Sequence, residues 1–228
     1  NDWVSNIFTM YPIFTSIEKY RANHLKHHQH LNSDDDPDWV AKLTKRAFQF
    51  PKTKQEFLLT IGSYLTFYQG ILDAIWFAKR YKNVDQQVGQ SSYTTDQIIF
   101  YGIMFIVFTV FQLWQLYLLF WLVPYLTTFF MFQYIRSVAE HYGELAYEHD
   151  LSSTRTVVTN RFEQFLFAPH AVNYHLEHHL YPGVPFYNLP KLHRLLMELP
   201  AFRQEAHITN GYFSGLLNEL GALQVEAS

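Results

Sequence analysis

Apolar residues concentrate in long stretches of this chain. The longest, residues 97–135, has no charged side chain at any of its 39 positions. A single helix of that length would measure about 58 Å, nearly twice the ~30 Å thickness of a bilayer's hydrocarbon layer. The pattern therefore predicts two apolar helices joined by a tight turn. We place the turn near residues 112–115, where Gln112, Trp114 and Gln115 cluster.

Two uncharged helices in succession are typical of a membrane hairpin, although a buried hairpin in the core of a soluble protein has the same pattern. Residues 2–17 are also apolar and aromatic, and Pro12 interrupts them. We interpret residues 2–17 as a membrane-adjacent or core segment.

A third apolar stretch, residues 57–78, differs in its polar content and its flanks. It contains Gln69 and Asp73, and basic residues, among them Lys54 and Lys79, flank both ends. Basic flanks favour the cytoplasmic side of a membrane, so we expect both ends to lie there. The prediction is an interfacial helix rather than a span.

Six of the 12 histidines form two triplets of identical His-x-x-His-His spacing. The triplets are His24, His27 and His28, and His175, His178 and His179. On a helix, positions i, i+3 and i+4 fall within an arc of roughly 100°, so each triplet points three imidazoles one way. Neutral imidazole is a common ligand of transition metals. We predict a metal site, against the alternative of two unrelated surface clusters.

Both triplets can reach one site only if the chain between them crosses the bilayer an even number of times. Two crossings within residues 97–135 satisfy this condition, and a third at residues 57–78 would violate it. His141 follows the second predicted span directly and adjoins Glu140. We predict that His141 is a further ligand, although a lone histidine often has only a structural role.

Carboxylates and amides near the triplets are candidates to hold the ligand imidazoles by hydrogen bonds. Metal-bound histidines usually donate their second ring N–H to such a group. Asp36 and Asp38 flank Pro37 in an acidic turn after the first triplet, which has the alternative interpretation of a solvated charge run. The further candidates are Glu140, Asn173 and Glu177.

Composition narrows the function classes. The chain has no cysteine, so disulfides, thiolate zinc sites and thiol nucleophiles are excluded within these 228 residues. A net charge of −3 without a basic block argues against a nucleic-acid partner. Transporter sites usually lie at mid-membrane, whereas both triplets lie outside the uncharged stretch, so metal transport is a weaker alternative.

Taken together, these residues resemble the integral-membrane fatty acid desaturases, whose non-haem di-iron centre is held by histidine boxes. The resemblance covers residues 20–199. It is carried by the first triplet with Asn32 and the Asp36-Pro37-Asp38 turn, by His141, and by the second triplet with Leu180-Tyr181-Pro182 after it. It implies an all-α fold: a membrane hairpin, interfacial helices and a cytosolic helical cap that carries a histidine-rich di-metal site.

By analogy with that family, one iron would take His24, His28, His175 and His179, and the other His27, His141 and His178. The family also has an earlier membrane hairpin and an earlier histidine box. We therefore expect residues 1–228 to be one desaturase-like domain that lacks its N-terminal part. His30, His149 and His170 are possible substitutes, and Ser137 stands where some members have an asparagine.

The resemblance implies O₂-dependent desaturation of a fatty acyl chain at two iron ions. The implied partners are the bilayer, an acyl or other lipid substrate, and an external electron donor of ferredoxin or cytochrome b5 type. The implied location is an integral membrane protein with its metal site on the cytoplasmic side. A related di-iron hydroxylase or ketolase acting on alkanes or carotenoids is the alternative, and spacing alone does not exclude zinc or manganese.

Overall fold

The computed structural model describes residues 1–88, 94–143, 145 and 151–220, and most of them are helical, as predicted. The α-helices are α1 (Asp2–Ser5), α2 (Ile17–Gln29), α3 (Pro37–Leu43), α4 (Lys54–Leu65), α5 (Tyr68–Val88), α6 (Thr95–Val110), α7 (Trp114–Tyr117), α8 (Phe130–His141), α9 (Arg161–Phe167), α10 (His175–Leu180), α11 (Leu189–Leu196), α12 (Pro200–Glu205) and α13 (Leu217–Glu219). Shorter 3-10 or π-type segments are Asn6–Met10, Tyr11–Ile13, Arg46–Phe48, Leu118–Leu122, Tyr125–Phe129, Pro169–Ala171, Phe186–Asn188 and Gly211–Leu216.

The uncharged stretch breaks where the sequence predicts a turn. After α6 ends at Val110, Gln112 adopts a left-handed conformation with φ 54°. A continuous helix of 28 residues, Trp114–His141, follows and includes α7 and α8; we call it the long helix. Among the described residues it alone is long and apolar enough to cross a membrane, while α6 is apolar but shorter.

Residues 57–78 are two helices rather than the single predicted one. The chain turns between α4 and α5 at Phe67, whose φ of 66° is incompatible with a right-handed helix. The buried Asp73 accepts a hydrogen bond of 2.7 Å from the Tyr64 hydroxyl and one of 3.4 Å from the Gln69 amide. The polar side chains of this stretch therefore satisfy each other across the break.

One compact unit comprises residues 1–25 and 61–131. Its N-terminal segment packs on α6: the Tyr11 and Phe100 rings lie 5.4 Å apart, and the Tyr101 hydroxyl donates to the Tyr11 carbonyl at 2.9 Å. The buried Gln97 amide donates to the Thr15 carbonyl at 3.3 Å. Part of residues 2–17, including Tyr11, is therefore packed against α6, whereas Trp3 and Phe8 are exposed. This unit is called the apolar unit below.

The second compact unit comprises residues 26–60 and the chain from Phe132 onward. Its hydrophobic core is centred on Leu176, Leu196 and Phe202. Two short parallel strands, β1 (Thr156–Val158) and β2 (Ile208–Asn210), pair with Thr156 opposite Ile208. Strand β1 lies within residues 151–160, whose richness in Ser and Thr is typical of a loop. Three residues paired with a distant strand leave no periodic signal in the sequence. We call this unit the histidine unit.

Candidate metal centre

The parts of three helices that lie in the histidine unit bring predicted ligands together. α2 carries His27 and His28 near its C-terminus, the long helix ends at His141, and α10 carries the second triplet. α2 ends at Gln29, just before the predicted acidic turn. The chain leaves α10 at Tyr181, whose neighbour Pro182 is incompatible with a continuing helix. The turn residues therefore determine where α2 and α10, the helices that carry the two triplets, end.

Four imidazoles converge in the interior of this unit: His27, His141, His175 and His179. One ring nitrogen from each lies within 4.8 Å of the others. Nε2 of His175 is 2.9 Å from Nε2 of His141 and 3.0 Å from Nε2 of His179. We call these four residues the inner group.

The inner group fits a metal ion better than it fits a set of hydrogen bonds. A ring nitrogen has either one proton or one lone pair, so Nε2 of His175 cannot satisfy two neighbouring ring nitrogens at once. Two nitrogens that each bind one ion at about 2.1 Å and lie 2.9–3.0 Å apart subtend about 90° at the ion.

His28 and His178 make a second contact, with their Nε2 atoms 3.0 Å apart. Both side chains are half-buried, unlike His27, His141 and His175, which are buried. We call His28 and His178 the outer pair. His24, half-buried as well, lies on α2 one turn before His28 and belongs to the apolar unit, where its ring stacks on Tyr20 at 5.3 Å.

The observed grouping differs from the partition that the family resemblance implied. His175 and His179 stay together, but they meet His27 and His141 rather than His28. His178 meets His28 rather than His27. The physical reason is that residues i and i+4 on α10 face one side of the helix. The i+3 residue is displaced around the axis and reaches a different histidine of α2.

Burial keeps the second triplet in the neutral, metal-binding form. Desolvation, together with the neighbouring imidazoles, lowers the pKa of His175 and of His179 well below its ordinary value. Desolvation also lowers the pKa of His178. Because a protonated imidazole has no lone pair to donate, these three rings are suited to bind a cation near neutral pH.

Asp36 orients His27, as expected of a carboxylate beside a metal ligand. Its Oδ2 accepts Nδ1–H of His27 at 2.8 Å, so the lone pair of this imidazole lies on Nε2. The Asp36 carboxylate also accepts the backbone N–H groups of Asn32, Asp38 and Trp39, and so caps α3. Burial acts to raise the pKa of Asp36, but the hydrogen bond from His27 and those from the backbone lower it overall.

The other predicted supporting residues lie near the centre with partners of their own. Glu177, fully buried, accepts Nδ1–H of His193 at 2.6 Å and the Thr156 hydroxyl. It thereby joins α10 to α11 and β1. Glu140 pairs with Arg136 at 3.1 Å, and Asp38 lies in the first turn of α3, after the Asp36 cap.

Asn173 supports the segment that leads into α10. Its side-chain amide donates to the backbone carbonyl of Val157 at 3.0 Å, and its backbone carbonyl accepts the Val157 N–H at 2.9 Å. Ser137, one turn before His141, accepts a hydrogen bond of 2.8 Å from Nζ of Lys42. His30 and His170 are exposed, and His149 lies outside the described residues.

Arg155 is a supporting residue that the sequence analysis missed. It is fully buried, and its guanidinium donates to the carbonyls of Ala139 and Tyr142, each at 2.9 Å. Glu219 pairs with the same guanidinium at 2.9 Å and also bonds His207. Arg155 therefore caps the end of the helix that carries His141, and a single arginine in a Ser/Thr-rich segment gives no sequence signal of this.

Comparisons with known proteins agree with the site. A sequence profile described as "Fatty acid desaturase" matches residues 1–210. The chain is 29% identical to the dihydrorhizobitoxine desaturase of Bradyrhizobium elkanii over 230 residues, which cover 91% of this chain and 61% of that protein. No solved structure matches. Because the profile covers most of the chain, including every histidine of the inner group and the outer pair, the chain belongs to the fatty acid desaturase family.

Proposed function

We propose that this protein is a metal-dependent oxidoreductase that desaturates an apolar acyl chain with O₂. The observation that carries the proposal is the inner group: four convergent imidazoles, largely buried, in a chain of the desaturase family. The reaction would convert –CH₂–CH₂– to –CH=CH–, with O₂, two electrons and two protons giving two molecules of water.

The proposed metals are two iron ions. The inner group would hold one of them, because one ring nitrogen from each of its four imidazoles lies within 4.8 Å of the others. The outer pair would hold the second, and His24, at i−4 from His28 on the same helix, is the proposed third ligand. Bound iron would supply reductive activation of O₂ to an oxidant that removes hydrogen from an unactivated methylene.

The chain's own residues would keep this centre dry, neutral and oriented. Desolvation holds the second-triplet histidines neutral, and Asp36 fixes the tautomer of His27. Arg155 holds the helix end that carries His141. Acyl chains are apolar, so the protein's task is to place one methylene beside the ions and to exclude water.

The proposed location is an integral membrane protein. The long helix is of sufficient length, and large apolar side chains of the apolar unit are more than half exposed, which is unfavourable in water. Examples on α6 and the long helix are Ile103, Phe105, Ile106, Leu119 and Phe120. Lys54 at the start of α4 and Lys79 within α5 favour a cytoplasmic location of the histidines, in keeping with the positive-inside preference.

Substrate and electron donor are further parts of the proposal. A ferredoxin or cytochrome b5 type protein would deliver the electrons, and the acyl group of a lipid would be the substrate. The Bradyrhizobium relative is named for desaturation of dihydrorhizobitoxine, so a substrate other than a fatty acyl group is a second candidate class. The hydroxylase or ketolase alternative differs in outcome, because oxygen would remain in the product.

Product analysis tests the function directly. The natural gene that encodes this chain is expressed with an electron-donor system, and cell lipids and polar metabolites are analysed by mass spectrometry. Desaturation of a lipid gives acyl products lighter by two hydrogens. Products heavier by one oxygen would establish the hydroxylase alternative. A loss of two hydrogens confined to polar metabolites would identify the second substrate class.

A further inference from the structure

The short helix α9 has its polarity reversed relative to a helix that faces water. Its one carboxylate, Glu163, is 5% exposed, whereas Phe162 and Phe165 on the outer face are 64% and 80% exposed. Phe162 and Phe165 are three positions apart, so they share a face. A helix in water would place the charge outside and the phenyl rings inside.

Internal contacts hold this reversed arrangement in place. The Glu163 carboxylate accepts the backbone N–H groups of Tyr212 at 2.9 Å and Phe213 at 3.1 Å. These bonds pair N–H groups at the N-terminus of the helical segment Gly211–Leu216 with a carboxylate. A negative charge is favourable at a helix N-terminus. Phe213, whose backbone is held in this way, is itself 55% exposed. The outward position of the rings is therefore built into the fold and does not come from a loose loop.

Ring contacts through the half-buried Phe132 and the buried Phe167 connect the exposed Phe213 to the end of the apolar stretch. The Phe132 ring of the long helix lies 5.6 Å from the Phe167 ring of α9, and Phe167 lies 5.3 Å from Phe213. Arg136, one turn after Phe132, is the first charged residue after Asp96. Phe132 thus marks the polar end of the long apolar helix, where a span would meet the lipid headgroups.

We propose that Phe162, Phe165 and Phe213 insert into the headgroup–acyl boundary of the same bilayer. We call these three residues the aromatic face. The inference rests on the proposed membrane location, and the continuity through Phe132 and Phe167 favours lipid over a protein partner. Aromatic side chains are enriched at this depth, and an exposed cation, Arg161, begins the same helix beside them. The histidine unit would then be held on the membrane by the aromatic face as well as by the long helix.

The absence of cysteine in the chain makes the test direct. Any cysteine of the whole protein outside these 228 residues is first replaced by serine. Phe165→Cys and Phe213→Cys are then introduced one at a time, labelled with an environment-sensitive fluorophore, and each labelled whole protein is reconstituted in phosphatidylcholine vesicles. Brominated acyl chains in the vesicles report contact with lipid by quenching. Phe120→Cys on the long helix is the lipid-facing reference, and Glu205→Cys, exposed on α12, is the water-facing reference. Bound metal equal to that of the parent protein verifies the fold of each variant.

The expected result is strong quenching at positions 120, 165 and 213 and weak quenching at 205. Weak quenching at 165 or 213, with strong quenching at 120, would overturn the aromatic face and leave the span intact. Weak quenching at position 120 would reject the membrane location itself, and with it this inference. A label at position 165 whose emission indicates an apolar environment, but which the brominated chains do not quench, would indicate a protein contact. That result would also overturn insertion into lipid.

Discussion

The inner group and the outer pair use the same side chain in different surroundings. In the inner group, three of the four imidazoles are buried, and Asp36 fixes one of them. The two imidazoles of the outer pair are half-buried. The pKa of His175 and of His179 is lowered further than that of His178 because burial is more complete.

This difference suits the inner group to retain a metal ion and the outer pair to expose a metal ion to other molecules. Buried, neutral and oriented ligands bind tightly because nothing must be desolvated or rearranged when the ion arrives. Half-exposed ligands leave one side of an ion open to a substrate or a small molecule. We therefore expect the inner group to retain its metal longest and the outer pair to exchange its metal more readily. The predictions below test that contrast, from the largest effect to the smallest.

The change with the largest expected effect is His175→Ala. Nε2 of His175 is the nitrogen that contacts both His141 and His179, so its loss leaves the inner group without its central donor. We expect loss of the inner metal and of all detectable turnover, measured by elemental analysis and product formation. His30→Ala, an exposed histidine that follows the first triplet, is the matched control and should retain both. Full metal content in the His175 variant would disprove the inner group as a metal site.

His178→Ala should separate the two groups. We expect the outer metal to be lost while the inner one is retained, so that bound metal falls to about half of the parent value. Elemental analysis after dialysis gives the ratio, and the absorption spectrum of the remaining ion reports its ligands. Complete loss of metal would show that the two groups bind as one cooperative unit, against the contrast drawn here.

Asp36→Asn should weaken the inner group selectively. The amide cannot accept Nδ1–H of His27 as strongly as a carboxylate does, and loss of such a partner typically lowers metal affinity about 10–100-fold. Competition with a chelator of known affinity measures the effect on each metal. Asp35→Asn, the exposed neighbour, is the control and should leave both affinities unchanged. An equal loss of affinity at the outer pair would contradict a selective role.

The smallest expected effect comes from Glu219→Gln, which removes the charge that Arg155 pairs with. We expect the free energy of unfolding to fall by only about 1 kcal/mol, because Glu219 is partly exposed and the Gln carbonyl still accepts a hydrogen bond from Arg155. Burial opposes but does not outweigh the hydrogen bond from His207 and the charge of Arg155, so the pKa of Glu219 is lowered. Thermal unfolding followed by circular dichroism measures the change.

The sign of that pKa shift sets a pH dependence. A lowered carboxyl pKa contributes stability that is fully present above the ordinary glutamate pKa and is lost as the pH falls through the folded-state value. The stability difference between the parent and the Gln variant should therefore be largest near neutral pH and disappear in acid. A difference that grows as the pH falls would contradict the Arg155–Glu219 account.

Local patterns predicted the parts of the molecule that depend on neighbours in sequence. The turn near Gln112 followed from the length of the uncharged stretch, and the convergence of His175 and His179 followed from helical spacing. The pairing of His27 with His141 did not follow, because it depends on how three helices pack. Two further features, strand β1 and the helix cap by Arg155, depend on partners distant in sequence. The break at Phe67 depends on one backbone angle, which the residue pattern does not indicate.

The link from Arg155 to Glu219 has a consequence for biosynthesis. Residues 27–179 include all four imidazoles of the inner group, yet the cap on the His141 helix is completed only by a carboxylate 40 positions after His179. During translation, the nascent chain would contain all four histidines of the inner group before it contained Glu219. The pairing of Glu219 with Arg155 completes the cap on the helix that carries His141. We therefore expect stable metal binding only late in maturation, after residue 219 has emerged from the ribosome and docked.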